Sequence, residues 1–229
     1  MYKIMIPYRD REEHLKIFVE RAIPFFEENR RPYKIIIVEQ TDDKPFNLGK
    51  LTNVGFDIYK KEGGYSSEDS FIFQPVDCIP YDAHYDAPRR GIAKLASHYG
   101  TPRISDPQPQ PQGEPRVHGV PYYYKAFSID PVAYEQVNGF TNECWGWGAE
   151  DDEFFVRLEI KDINTVHRLC LYEMLGHELA SLEYHTQNMS MAHQLRENKD
   201  IFISGLNTLE YSIKEKTERH GLETYVCEI

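Results

Sequence analysis

Four consecutive β-branched residues, Ile35-Ile36-Ile37-Val38, stand early in the chain between polar neighbours. A run that is apolar on both alternating faces has no side to give to water, so it fits a strand of a parallel sheet covered by helices on both faces. Lys3 to Pro7 and Ser70 to Gln74 read as two more buried strands. Between them, Leu15, Phe18, Val19, Ala22 and Phe26 recur at helical spacing, as do Leu51, Val54, Phe56 and Ile58 within Asn47 to Lys60. Asp10 and Glu13 have the spacing of a capping box, and Pro24 is expected to kink or shorten the first helix. Strand, helix, strand, helix, strand predicts an α/β fold with a mostly parallel central sheet and right-handed crossovers. Ligands then sit at the carboxyl ends of the strands, where Asp77 falls.

Beyond that frame the signals weaken. Residues 101–119 carry five prolines and are expected to form an irregular, mobile loop with polyproline II character, not a linker. Strand-like sequence resumes over 120–129, and Pro131 to Asn138, closed by Gly139, has helix start and stop signals. A late strand is expected over 165–175 and an amphipathic helix over 204–220. With 229 residues, 41% hydrophobic and 28% charged, the chain suits one soluble domain spanning 1–229. The net charge of −11 disfavours nucleic-acid partners, including base glycosylation. Four distant cysteines give neither a zinc knuckle nor a disulfide framework, so buried thiols are expected. No apolar run approaches a membrane span and no signal-peptide pattern opens the chain, so a cytoplasmic location is expected.

The segment Cys144-Trp145-Gly146-Trp147-Gly148-Ala149-Glu150-Asp151-Asp152-Glu153 holds both tryptophans of the chain and runs into four acids. Flat rings beside glycine backbone suit the C–H face of a sugar, and a neighbouring carboxylate can take a proton from a hydroxyl. Acids in a first helical turn also need no function, since the helix dipole favours them there. The glycine-rich turn tips the balance, because it stabilises nothing by itself.

Asp77, Met174 and His177 offer an oxygen, a thioether and an imidazole that could gather round a divalent cation. Taken singly they read as a turn residue, a core methionine and a satisfied histidine. In Pro7-Tyr8-Arg9-Asp10-Arg11, two arginines just past a strand could cradle a diphosphate or a base; solvated surface charge explains them equally well.

Several segments in order resemble one family: Ile6 to Leu15, Phe46 to Phe56, Phe71 to Pro80, Val137 to Asp152, Met174 to His177 and Gly205 to Tyr211. The chain resembles the β-1,4-galactosyltransferase family of inverting, metal-dependent sugar transferases, and the Trp-Gly-Trp-Gly-x-Glu-Asp-Asp signature is highly specific. The resemblance implies a single GT-A, Rossmann-like domain. Asp77 stands on the last acid of the family's Asp-Val-Asp motif, and Met174 and His177 on its Met-x-x-His ligands, which implies Mn2+, with other divalent cations as alternatives. Pro7, Tyr8, Arg9, Arg11 and Phe46 fall where the family holds the uridine nucleotide of a UDP-sugar, and Lys50 is grouped with them. Trp147 matches the tryptophan of a loop that closes over donor and acceptor. Tyr123, Gly148, Glu150, Asp151 and Asp152 fall at the acceptor side, with Asp151 on the catalytic base.

The pattern departs from the family at Pro75, which replaces the first acid of Asp-Val-Asp, and at Leu48, which replaces an arginine that meets the donor. Ala149 stands for a glycine, and Tyr122 to Phe127 differs from the family's Tyr-Phe-Gly-Gly-Val. The implied activity is transfer of a hexose or N-acetylhexosamine, galactose-type favoured, to a glycan or other hydroxyl acceptor by a soluble bacterial or viral relative. The alternative is a binding protein for nucleotide sugars or carbohydrates whose transferase activity is weakened, since Pro75 and Leu48 both remove polar groups from the donor side.

Overall fold

The computed structural model describes residues 1–95, 98–99, 126–168, 170–176, 183–198 and 204–229, with only the backbone at 98–99. The proline-rich loop 101–119, residues 120–125 with Tyr123, and His177 lie outside the described residues.

The expected strand-helix alternation is present. Strands β1 (Tyr2–Tyr8), β2 (Tyr33–Gln40) and β3 (Ser70–Phe73) are parallel, with Ile4 level with Ile35 on one side and Ile72 on the other. Helix α1 (Glu12–Glu28) links the first pair, and α2 (Leu48–Gly63) links β2 to β3. The four-residue run divides by alternation. Ile36 and Val38 pack with Leu51, Val54 and Phe56 of α2, while Ile35 and Ile37 pack with Leu15, Phe18 and Phe26 of α1. Both faces of the sheet are therefore buried, which is why no polar residue interrupts the run.

Three short strands extend the sheet past β3: β7 (Phe127–Ile129) and β5 (Gly91–Lys94), each antiparallel to its predecessor, then β8 (Asn164–His167), parallel to β5. At the other edge β11 (Leu222–Glu228) lies parallel to β2, and β10 (Ser212–Arg219) pairs antiparallel with β11. A smaller sheet holds β4 (Cys78–Asp82), β9 (Leu171–Met174) and β6 (His98–Tyr99). Helices α3 (Pro131–Gln136), α4 (Glu150–Ile160) and α5 (His185–Glu197) complete the described α-helices. All four cysteines are free and buried. No described helix is long and apolar enough to cross a membrane.

Four local expectations need correction. Pro24 does not shorten α1, which runs on to Glu28. Pro24 is exposed, so water can satisfy the carbonyl that a proline leaves without its partner. The capping box is absent: Asp10 has φ 52°, and Arg11 caps α1 without a side-chain bond. The strand expected over 120–129 is present in the described part of that range, as Phe127–Ile129. The strand expected over 165–175 is two strands in different sheets, β8 and β9. The helix expected over 204–220 is instead a 3-10 turn (Leu206–Thr208) followed by the outer strand of a hairpin. His220 and Gly221 both have positive φ and form the two-residue turn that sets this hairpin, and pairing with β11 overrides the amphipathic pattern.

Candidate active site

A cleft of about 800 Å³ opens at the carboxyl ends of β1 and β2. Arg9, Asp10, Glu39 to Pro45 and, from the turn before α5, Tyr184 line it. Arg9 donates to the carbonyls of Lys44 at 2.7 Å and Asp42 at 3.4 Å, and its guanidinium lies 5.3 Å from the Phe46 ring centre. Of the other expected nucleotide residues, Pro7 lies near the end of β1 opposite Val38, Tyr8 is buried with its hydroxyl 3.4 Å from Glu12, and Arg11 lends its carbonyl to the first turn of α1. These three do not line the cleft.

Buried asparagines join this side to the signature segment. Asn47 caps α2 by accepting from the Lys50 N–H and donates to the Asn142 carbonyl at 2.8 Å. Asn53 donates to the Phe140 carbonyl and to Asn142 Oδ1, and accepts from the Tyr134 hydroxyl and the Phe140 N–H. Asn142 in turn donates to the Gly205 carbonyl at 2.8 Å. Nothing in the local sequence marks these residues, because an asparagine reads as loop until a partner distant in sequence satisfies its amide.

The loop 145–149 is held from both sides. The Gly146 N–H donates to the Phe46 carbonyl at 2.9 Å, and the Asn188 amide of α5 donates to the carbonyls of Trp145 and Gly148 at 3.1 and 2.8 Å. Trp147 is 49% exposed and stacks on His185 at 5.7 Å between ring centres. Gly146 and Gly148 have φ of 71° and 99°. A Cβ at Gly146 would collide with the Tyr184 ring, and one at Gly148 would come within 2.6 Å of His185 Cδ2. Both glycines are thus required by conformation and by close approach. Ala149 occupies the left-handed region without glycine's freedom, with φ 66°. The Trp145 ring lies 5.4 Å from Lys44 Nζ and 5.9 Å from Lys50 Nζ, and burial with the nearby Lys44 charge lowers the Lys50 pKa.

The four acids divide by role. Glu153 turns inward to Arg157, whose Nε lies 2.8 and 2.9 Å from the two carboxylate oxygens. Arg157 is 1% exposed and also donates to the Ser204 carbonyl at 2.8 Å. Glu150, Asp151 and Asp152 remain together in the first turn of α4. Burial, then the charges of Glu150 and Asp152, lift the Asp151 pKa to about 7, although the helix N-terminus favours the anion. Burial also raises Glu150, whose Oε2 is buried without a hydrogen-bond partner among the described residues.

At the third strand end Gln74 donates to the carbonyls of Pro75 and Cys78, clamping the turn that presents Asp77. Pairing of β4 with β9 sets Cys78 level with Met174, and the Leu175 N–H donates to the Asp77 carbonyl at 2.8 Å. Asp77 and half-buried Met174 are therefore neighbours across a strand pair, with His177 three residues beyond Met174 and outside the described residues. Met174 packs against the core cluster that holds Cys78; an oxygen and a thioether from these adjoining segments, turned to one point, would suit a borderline divalent ion. Among the described residues no group of three His, Cys, Asp or Glu could hold one.

This geometry has known counterparts. Residues 2–86 match the model of the N-terminal region of glycosyl transferase group 7, and residues 119–178 match that of the N-terminal domain of galactosyltransferase. The chain belongs to the β-1,4-galactosyltransferase family. Within it, β-1,4-galactosyltransferase 6 of Rattus norvegicus is 31% identical over 228 residues, covering 94% of this chain and 53% of that protein. β-1,4-Galactosyltransferase 1 of Homo sapiens is 30% identical over 234 residues, covering 97% and 53%. The chain thus spans about half the length of the curated relatives it matches. Among solved structures, the catalytic domain of Drosophila β-1,4-galactosyltransferase 7 complexed with xylobiose superposes with a TM-score of 0.75 at 22% identity, covering 99% of this chain and 92% of that one. The likeness confirms the GT-A fold of this family member. A mutant of the Drosophila protein complexed with manganese, UDP-Gal and xylobiose superposes with a TM-score of 0.73.

Proposed function

We propose that this chain is an inverting glycosyltransferase that moves a hexose or N-acetylhexosamine, galactose-type favoured, from a UDP-sugar to a hydroxyl of a glycan or related acceptor. The observation that carries the reading is Asp151, a carboxylate poised near neutrality within an acid trio that directly follows the Trp147 loop. A general base works best when its pKa lies near the working pH, and such help is worth roughly 10²–10⁴-fold. Arg9 and the Phe46 segment would hold the nucleotide in the cleft, with Lys50 behind Trp145. Trp147, stacked on His185, would cover the sugars and exclude water. Glu150 and Asp152 would accept hydrogen bonds from acceptor hydroxyls, with Gly148 and Tyr123 also assigned to the acceptor; the Glu150 oxygen without a partner among the described residues supports this, since a buried acceptor is costly unless something donates to it. Asp77, Met174 and His177 would hold a divalent metal, Mn2+ first, which when bound neutralises charge growing on the UDP leaving group. The Drosophila relative complexed with manganese, UDP-Gal and a disaccharide supports the ligand classes.

A reading as a weakened sugar-nucleotide binder has its own observation: Leu48 packs against the core where the family carries an arginine for the donor. Incubation with UDP-galactose, UDP-glucose, UDP-N-acetylgalactosamine and UDP-N-acetylglucosamine, each with and without manganese, separates the two. UDP release that depends on metal and on a sugar acceptor supports the transferase. A raised melting temperature without UDP release supports the binder.

A further inference from the structure

β10 is an edge of the eight-stranded sheet: among the described residues no strand pairs with its outer side. Residues 214–219 read Lys-Glu-Lys-Thr-Glu-Arg and are mostly exposed. Charged side chains on an edge ordinarily discourage pairing. Their order here does the opposite for one partner. Laid antiparallel against itself about Thr217, the strand sets Lys216 opposite Glu218 and Glu215 opposite Arg219. Members of each pair are an even number of residues apart, so they share a face of the sheet. Every direct cross-strand pair of this core is then of opposite charge, the favourable arrangement.

The backbone parity agrees. In a two-residue hairpin turn the flanking residues, Arg219 and Leu222, exchange both hydrogen bonds. By alternation Thr217 also bonds towards β11, so Lys216 and Glu218 present N–H and C=O to the open edge. Within its own chain Glu218 sits opposite Glu223, a like-charge pair, and neither Glu215 nor Glu218 has an ion pair or side-chain hydrogen bond among the described residues. Among the described residues the hairpin thus carries unmatched acids, while Lys216 already meets Glu62 and Glu223 and Arg219 meets Glu39, so the acids of a second copy would share these cations.

We propose that two copies of this chain associate edge to edge through β10, antiparallel and centred on Thr217, continuing one sheet into the other. A short strand pair falls well below the ~1,600 Å² of a standard interface, so the dimer is weak and dissociates as salt rises. Sedimentation equilibrium of the full chain tests it over roughly 1–200 µM, the range in which a weak contact is populated. The wild type is expected to approach twice the 26.9 kDa chain mass at the top of that range in low salt. Glu218→Lys sets lysine against Lys216 twice per dimer while relieving the contact with Glu223. It should weaken association about tenfold or more and leave the melting temperature unchanged or higher. Lys216→Glu should also be monomeric, yet an equimolar mixture of the two variants restores every opposite-charge pair and should dimerise. A wild type that stays monomeric throughout, or variants whose mixture behaves as each does alone, overturns the proposal.

Discussion

The Gly146 N–H donates to the Phe46 carbonyl at 2.9 Å, joining the loop that carries Trp147 to the segment behind the cleft lined by Arg9. Since Asn188 holds the same loop from α5, the loop is fixed between two elements far apart in sequence. Any shift of the loop is thereby coupled to the segment behind the cleft and to α5.

Gly146→Ala tests that coupling. Its Cβ would meet the Tyr184 ring and its φ of 71° would be strained. Transfer should fall by roughly 10²-fold, the cost of a misplacement near 1 Å. Because Gly146 is half-buried and outside both main core clusters, the melting temperature should drop less than activity does. Steady-state kinetics beside a thermal melt is the check; unchanged kinetics would mean the loop does not position substrate.

Titration of the acid trio should appear in the pH profile. Asp151 must be ionised to accept a proton, so kcat should rise with pH through an acid limb near 7. Glu150 is among the charges that raise it, so Glu150→Gln should move that limb to lower pH. A limb that stays in place would detach the profile from Asp151.

The same shift has a stability consequence. A carboxyl raised from 3.8 to about 7 in the folded state leaves stability unimpaired below the unfolded value, and the penalty grows until pH passes the folded one. Asp151→Asn should therefore stabilise the fold more at pH 8 than at pH 4, by on the order of 2 kcal/mol once sharing of charge within the trio is discounted. Urea denaturation at the two pH values measures the difference.

Arg157→Met leaves Glu153 as a buried, unpaired charge and removes the donor to the Ser204 carbonyl. A loss of about 3–5 kcal/mol is expected. The double variant Arg157→Met with Glu153→Leu should recover much of it, because an apolar pair can replace a buried ion pair. Denaturant midpoints of the single and double variants decide the matter.

The legible part of the fold was the part whose burial is written locally. Ile35 to Val38 admitted one reading because both faces are covered, and Asn47 with Leu51, Val54 and Ile58 marked α2 to within a residue at its start. The hairpin of β10 and β11 was lost because Lys214 to Arg219 expose most of their surface and carry no apolar alternation. The His220-Gly221 turn was its real signal. Helix α5 was missed because it buries little more than Asn188, Ala192 and Leu195. In the site, the meeting of Asp77 with Met174 follows from strand register, which no single segment encodes. The separation of Glu153, turned to Arg157, from the other three acids likewise depends on which face of α4 the core selects.

The most direct test is Asp151→Asn, assayed for sugar transfer and, by calorimetry, for UDP binding in the presence of manganese. Transfer should fall by about 10²–10⁴-fold while the affinity for UDP stays within a few-fold of wild type. Undiminished transfer, or loss of both properties together, would contradict a proton-accepting role for this carboxylate.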